Sequence, residues 1–459
     1  MLVLGHCRII AGGQLLEGKS LVLVDGKIHD IVESAHPLPA GAQLIDLQGC
    51  YVCAGLIDLQ IYGSGVKNFG GKPEVVALEQ MELDMLRQGV TGFLATIATN
   101  SPEVVEQGLK SAHTFRPACL GNFWGIHLEG PFLSPQRRGA HPLEMVRYAT
   151  EVEVETVLVL GEGELRMMTV APEVVAEELL VRLEQAGVLL SMGHSNASYQ
   201  QGRRFLSGRR GAGAGVRAGR GAGAYARADS GAGTDIPGIG AQVSKGAGIG
   251  AGAGVGFGAE QLRAVTHLFN AMPPLHHRAL GLIPAVFEAR PYTSIVVDGV
   301  HVAYPMVRMA KRELEDRLFL ITDAVTATNE GLYPHTLQRG AGAGAVERTS
   351  GPHSSSSSSS SSCDEELELD DSADRFVMPD GTLSGSALTM LLAVQNCVRY
   401  CGIPLPEAVK MASQYPAEVL GLRLKGRVEV GCDADLCVFD EDYCVRATFM
   451  AGQCVHSVL

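Results

Sequence analysis

Between Gly55 and Thr322 the chain repeats one unit, a short apolar run, a turn and an amphipathic helical stretch, and nothing else in it restricts the fold as strongly. Strand, crossover helix, strand is the pattern of a parallel sheet, whose strands are buried on both faces and so read as continuous apolar runs. Such runs stand at 56–61, 90–97, 123–128, 167–170, 188–192, 264–268, 294–297 and 318–321. Eight in succession predict an α/β fold closed into a (β/α)8 TIM-like barrel, sheathed by its helices. Helices are predicted from Pro73 to Gly89 and from Pro172 to Gly187, each opened by proline and closed by glycine.

The ends of the chain follow a different rhythm. Residues 21–24 and 28–32 alternate around Asp25-Gly26, a hairpin signature, and short alternating runs return at 426–459, notably at 436–439. Residues 1–54 and 426–459 are therefore predicted to form a small β-sandwich domain built from both termini, beside a barrel spanning 55–425. Two stretches fit neither part. Residues 208–258 are mostly Gly and Ala with scattered Arg, and 339–372 hold a serine run before an acidic tract. Both are too poor in large apolar groups to offset the entropy of ordering, and are expected as disordered low-complexity insertions.

At 459 residues the chain has room for a barrel of about 250 and a satellite domain. A formal charge of −13 offers no basic face to a phosphate backbone, so no nucleic-acid partner is expected. No apolar run approaches the roughly 20 residues that cross a bilayer, and no secretory signal is visible, so a cytoplasmic protein without a membrane partner is expected. The 11 cysteines form no dense, even framework and read as reduced thiols. Cys50 and Cys53 make a C-x-x-C without a second pair, read as structural rather than as half a zinc site.

The chemistry is suggested by the polar residues at the ends of the apolar runs. Gln60 stands at the end of the first, Glu129 after the third, His194 after the fifth, His267 in the sixth and Asp323 after the eighth. In a barrel these positions share the carboxyl-terminal rim, where active sites are built. One Glu and two His supply three ligands to a divalent ion and leave a position for water, the arrangement of a catalytic site. Zinc is the first expectation, with iron or cobalt open because ligand type does not decide. Singly each residue is weak, since a strand-end histidine is more often structural and Asp323 is equally placed to cap a helix. Their convergence on one rim is the argument, and it sets Asp323 where a carboxylate can take a proton from activated water.

The ordered segments His127-Leu128-Glu129-Gly130-Pro131-Phe132, Gly193-His194-Ser195, Thr266-His267-Leu268-Phe269-Asn270-Ala271-Met272, Asp298-Gly299-Val300-His301, Thr322-Asp323-Ala324 and Leu383-Ser384-Gly385-Ser386 resemble the motif set of the N-acetylglucosamine-6-phosphate deacetylases. Gly55-Leu56-Ile57-Asp58 and Gly431-Cys432-Asp433-Ala434-Asp435-Leu436 are similar to the wider amidohydrolase superfamily. Most of that superfamily carries His-x-His at the first strand end to hold a second metal, where this chain has Gln60-Ile61-Tyr62. The deacetylases carry Gln with Asn there, so Tyr62 is a departure and a two-metal site is not expected.

The resemblance implies one divalent ion per subunit on Glu129, His194 and His267, with Asp323 as the catalytic carboxylate. His141, preceded by Ala140, would polarise or hold the acetyl carbonyl. Asn270 and the Ala271 backbone would contact the substrate phosphate, as would His301, while Leu383, Ser384 and Gly385 would line the pocket. Arg278 would reach the phosphate of a neighbouring subunit, which implies a homodimer. The implied reaction is hydrolysis of N-acetylglucosamine 6-phosphate to glucosamine 6-phosphate and acetate in amino-sugar catabolism. Two other readings stay open: a mononuclear amidohydrolase acting on a different N-acyl amino sugar, and a non-catalytic barrel scaffold, since fold does not guarantee chemistry.

Overall fold

A computed structural model of the chain describes residues 1–35, 41–207, 263–328, 332–339 and 374–459. Eight strands, Leu56–Ile61, Val90–Ala98, Phe123–Glu129, Leu165–Val170, Leu189–Met192, Ala264–Val265, Thr293–Ile295 and Leu318–Leu320, each pair in parallel with the next. The ring is closed between last and first by Asp323 N donating to Gln60 O and Tyr62 N to Ala324 O, both at 2.9 Å. Beneath that seam the buried Asp58 carboxylate accepts from the backbone N–H and the hydroxyl of Thr322. All eight expected apolar runs are therefore barrel strands. The sixth is shorter than its run, because His267 turns to a φ of 32° and leaves the extended region.

The helix expected from Pro73 forms as Val75–Arg87 and buries Leu78, Met81 and Met85. That expected from Pro172 to Gly187 is interrupted: Pro172–Val174 is one 3-10 turn, and the α-helix proper is Glu177–Gln185. Val175 between them is extended, with φ −125° and ψ 126°. Val174 and Val175 are both buried, and β-branched side chains are the ones most readily drawn out of a helix to fill a core.

Both ends of the chain meet in one eight-stranded sheet, in which Leu436–Phe439 pairs antiparallel with Tyr51–Ala54, and Leu2–Ala11 pairs with Gln14–Val24. Gln14–Val24 and Lys27–Glu33 form the expected hairpin around Asp25-Gly26. The sheet buries its own core, including Leu4, Ile9, Leu21, Val52 and Phe449. Gly55 carries the chain across to the barrel, and a Cβ there would lie 2.0 Å from Thr91 Oγ1, so only glycine allows the crossing. Cys53 sits opposite Cys437 in this sheet, and all ten described cysteines are free thiols.

Apart from Arg339, the two expected insertions lie outside the described residues. The chain on either side of the first is clamped together: Arg263 donates to Phe205 O at 3.0 Å and forms an ion pair with Glu184. Among the described residues no helix is long and apolar enough to cross a membrane.

Candidate active site

The strand-end side chains converge. Glu129 Oε1 lies 3.0 Å from His267 Nε2 and 3.4 Å from His194 Nε2, and those two nitrogens are 3.0 Å apart. Ligands at about 2.1 Å from a tetrahedral ion stand about 3.4 Å from one another, so the trio is spaced as a coordination set. Protonation supports the same reading. His194 Nδ1 faces the Arg137 carbonyl at 3.0 Å and must carry the proton, so in the neutral ring the Nε2 lone pair points at His267 Nε2. The His194 lone pair and the Glu129 carboxylate oxygen thus face His267 Nε2 from two sides, an arrangement that a cation at the shared centre would satisfy. His141 adjoins the set, its Nε2 at 3.2 Å from Glu129 Oε2, and the ligand atoms of Glu129, His141 and His194 also lie within 4.8 Å of one another. The donors therefore fit a divalent metal ion.

The backbone is bent to this end. His194, His267 and Asp323 adopt φ of 47°, 32° and 55°, in the left-handed region that non-glycine residues avoid. Such residues cost about 1–3 kcal/mol each and persist where surrounding contacts hold them, commonly at functional sites. Here the restraints are visible. Glu173, in the short turn that replaces the expected helix start, accepts from Ser195 Oγ at 2.7 Å and Asn196 N at 2.6 Å, which anchors the loop carrying His194. The His267 N–H donates to Ser294 Oγ at 2.8 Å. Asp323 is followed by bridges from Ala324 to Ile61 and Ser386 rather than by a helix, so it is no helix cap.

Gln60 joins the two carboxylates, its Nε2 lying 2.9 Å from Glu129 Oε1 and 2.8 Å from Asp323 Oδ1. Burial raises the Asp323 carboxyl and Glu129 adds to this, against the pull of His267. For Glu129 burial acts upward too, but His194, His141 and His267 outweigh it and hold the group ionised well below the usual range. Below the rim His127 is neutral, bridging Leu59 O and Thr169 Oγ1, and burial takes it down to about 4.

Of the other expected site residues, Ala140, His141, Asn270, Ala271, His301, Leu383, Ser384 and Gly385 line one cavity of about 180 Å³ with Glu129, His194, His267 and Asp323. Arg278 is exposed and does not line it. Tyr62, Tyr333 and His335 also line the cavity, and no sequence pattern marks the last two. Tyr333 donates its hydroxyl proton to Thr99 O, which leaves its oxygen to accept from His141 Nδ1 at 3.3 Å. This fixes which nitrogen of His141 carries a proton in the neutral ring, and turns Nε2 inward.

His301 is held differently. Nδ1 faces the Asp298 carboxylate and Nε2 the Ser384 carbonyl, so both nitrogens donate and the ring is an imidazolium. Burial opposes the charge, yet Asp298 and the carbonyl prevail and carry the group to about 9. A folded value above the ordinary 6.5 stabilises the fold fully below pH 6.5, and that contribution, about 3 kcal/mol, is lost as pH rises through 9. We expect the urea midpoint of the parent to fall over this window and that part of the slope to vanish in His301→Asn. An unchanged slope would mean that the ring is neutral.

The amidohydrolase family profile matches residues 255–455. The N-acetylglucosamine-6-phosphate deacetylase of Haemophilus influenzae is 30% identical over 94% of this chain and 93% of its own. The crystal structure of the enzyme of that name from Pasteurella multocida superposes with a TM-score of 0.73 at 26% identity, covering 99% of both chains. A mutant of the Mycobacterium smegmatis enzyme, solved in complex with N-acetyl-D-glucosamine-6-phosphate, superposes at 0.70 with 28% identity over 99% of both chains. The chain belongs to the N-acetylglucosamine-6-phosphate deacetylase family of the amidohydrolases.

Proposed function

We propose that this chain hydrolyses N-acetylglucosamine 6-phosphate to glucosamine 6-phosphate and acetate. The observation that carries the reading is the convergence of Glu129, His194 and His267 on one point, with Asp323 tied to the same centre through Gln60. Those three residues are the proposed ligands of one divalent ion, with zinc the first candidate and iron or cobalt the others. When bound, the ion supplies Lewis acidity that polarises the acetyl carbonyl and acidifies water.

The residues supply the rest. Asp323 takes the proton of the attacking water and then delivers it to the amide nitrogen, which leaves poorly unless protonated. With Nδ1 turned to Tyr333, His141 presents Nε2 to the cavity, where an N–H would hold the carbonyl oxygen and stabilise the charge that develops on it. His301 contributes a fixed positive charge on the cavity wall, and Asn270 with the Ala271 backbone offers donors to the substrate phosphate. Arg278, exposed and absent from the lining of its own chain's cavity, is proposed to complete the phosphate site of a neighbouring subunit in a homodimer. A cytoplasmic location suits a phosphorylated substrate.

Acetate release from N-acetylglucosamine 6-phosphate tests this. Turnover should stop on chelation and return with Zn²⁺, Fe²⁺ or Co²⁺, whose ranking identifies the working metal. N-acetylgalactosamine 6-phosphate and unphosphorylated N-acetylglucosamine serve as competitors. Faster release from either would redirect the substrate assignment, and no release from the metal-loaded protein would favour a scaffold.

A further inference from the structure

The two oxygens of Glu129 have separate surroundings. Oε1 faces His194, His267 and the Gln60 amide, whereas Oε2 faces His141 and receives the hydroxyl proton of Tyr62. The Tyr62 oxygen in turn accepts from Gln60 Nε2 at 3.0 Å. Three acceptors, Glu129, Asp323 and Tyr62, surround that nitrogen, which fixes the amide with Nε2 inward and its oxygen turned away from the centre. The first strand end thus presents an N–H and an O–H to the carboxylates, both donors, and no inward lone pair of Gln60 on which a second cation could sit.

Tyr62 cannot readily move aside. It is buried, its N–H donates to Ala324 O at 2.9 Å and its carbonyl accepts from Gly70 N at 2.8 Å. A Cβ at Gly70 would lie 2.6 Å from Tyr62 Cδ1, so the segment opposite is cut back to glycine to admit the ring.

We propose that Tyr62 is a positioning residue that keeps the centre mononuclear, its hydroxyl holding the second oxygen of Glu129 so that the carboxylate offers a single oxygen to a single ion. This rests on Glu129, His194 and His267 being the metal ligands.

The experiment loads apo-protein with excess Zn²⁺ or Co²⁺, removes free ion by gel filtration and counts metal per chain. It then compares parent and Tyr62→Phe by chelator competition and by the visible spectrum of the Co²⁺ form. One ion in the parent is expected, with affinity about tenfold lower in Tyr62→Phe, the size typical of losing a hydrogen-bond partner to a ligand. The Co²⁺ bands should weaken in the variant as Glu129 becomes free to bind through both oxygens. Two ions retained by the parent overturn the proposal whatever the variant does, and so does a folded Tyr62→Phe with unchanged affinity and spectrum. A parent that retains no ion instead removes the ligand assignment beneath it.

Discussion

Asp323→Asn lowers kcat by about 10³- to 10⁴-fold and leaves the bound metal in place, because the change removes a proton acceptor and not a ligand. Asparagine is nearly isosteric, and its side-chain oxygen can still accept the Gln60 N–H that reaches Asp323 at 2.8 Å. The backbone bond from Asp323 N to Gln60 O is untouched, so the seam of the barrel holds. The amide oxygen is a far weaker base than a carboxylate, so neither the proton taken from water nor the one returned to the leaving nitrogen has a carrier. Steady-state kinetics and metal analysis on one preparation check both halves. A rate within tenfold of the parent would remove Asp323 from this role.

Glu129→Gln fails in the opposite order, losing the metal first and the rate as a consequence. The carboxylate meets two imidazoles through one oxygen and Tyr62 and His141 through the other, and it is the only negative charge in direct contact with that histidine pair among the described residues. An amide there cannot avoid turning either its NH2 or a weaker oxygen toward the ligand nitrogens. Metal affinity should fall by more than the roughly 10- to 100-fold typical of losing an outer partner, with kcat/KM down at least about 10³-fold at stoichiometric metal. Partial recovery at high metal concentration would separate this variant from Asp323→Asn, which excess metal cannot rescue. Full affinity in the glutamine variant would show that Glu129 is not a ligand.

How much of this is legible in the sequence depends on how far each signal reaches along the chain. The eight barrel strands can be read because strands covered on both faces are mostly apolar, as Val90–Ala98 is, with every residue buried and only Thr91 and Thr96 polar. Gln60, Glu129, His194, His267 and Asp323 can be read because each is a polar residue at the end of such a run. The left-handed φ of His194, His267 and Asp323 cannot, since none is a glycine or part of a turn dipeptide. Tyr333 touches His141 across 192 positions and Tyr62 touches Glu129 across 67, distances at which periodicity carries no information. The interrupted helix at Pro172 is a competition between signals: the proline favours a first helical turn, and the adjacent buried valines pull the chain into an extended step. Roles for His141, Asn270 and Arg278 come from family resemblance, and the first two are cavity-lining residues whereas Arg278 is not.

The clamp of Arg263 onto Phe205 and Glu184 has a consequence for how such a chain can diversify. It stands where the polypeptide enters the sixth strand, at the end remote from His267. Side chains that flank the connection thus hold the entry to that strand. Doubling the length of a flexible connection adds only about 0.6 kcal/mol of closure entropy. A splice point of this kind tolerates extra sequence without disturbing the chemistry, and is the natural place to graft an affinity handle or to open new chain ends by circular permutation.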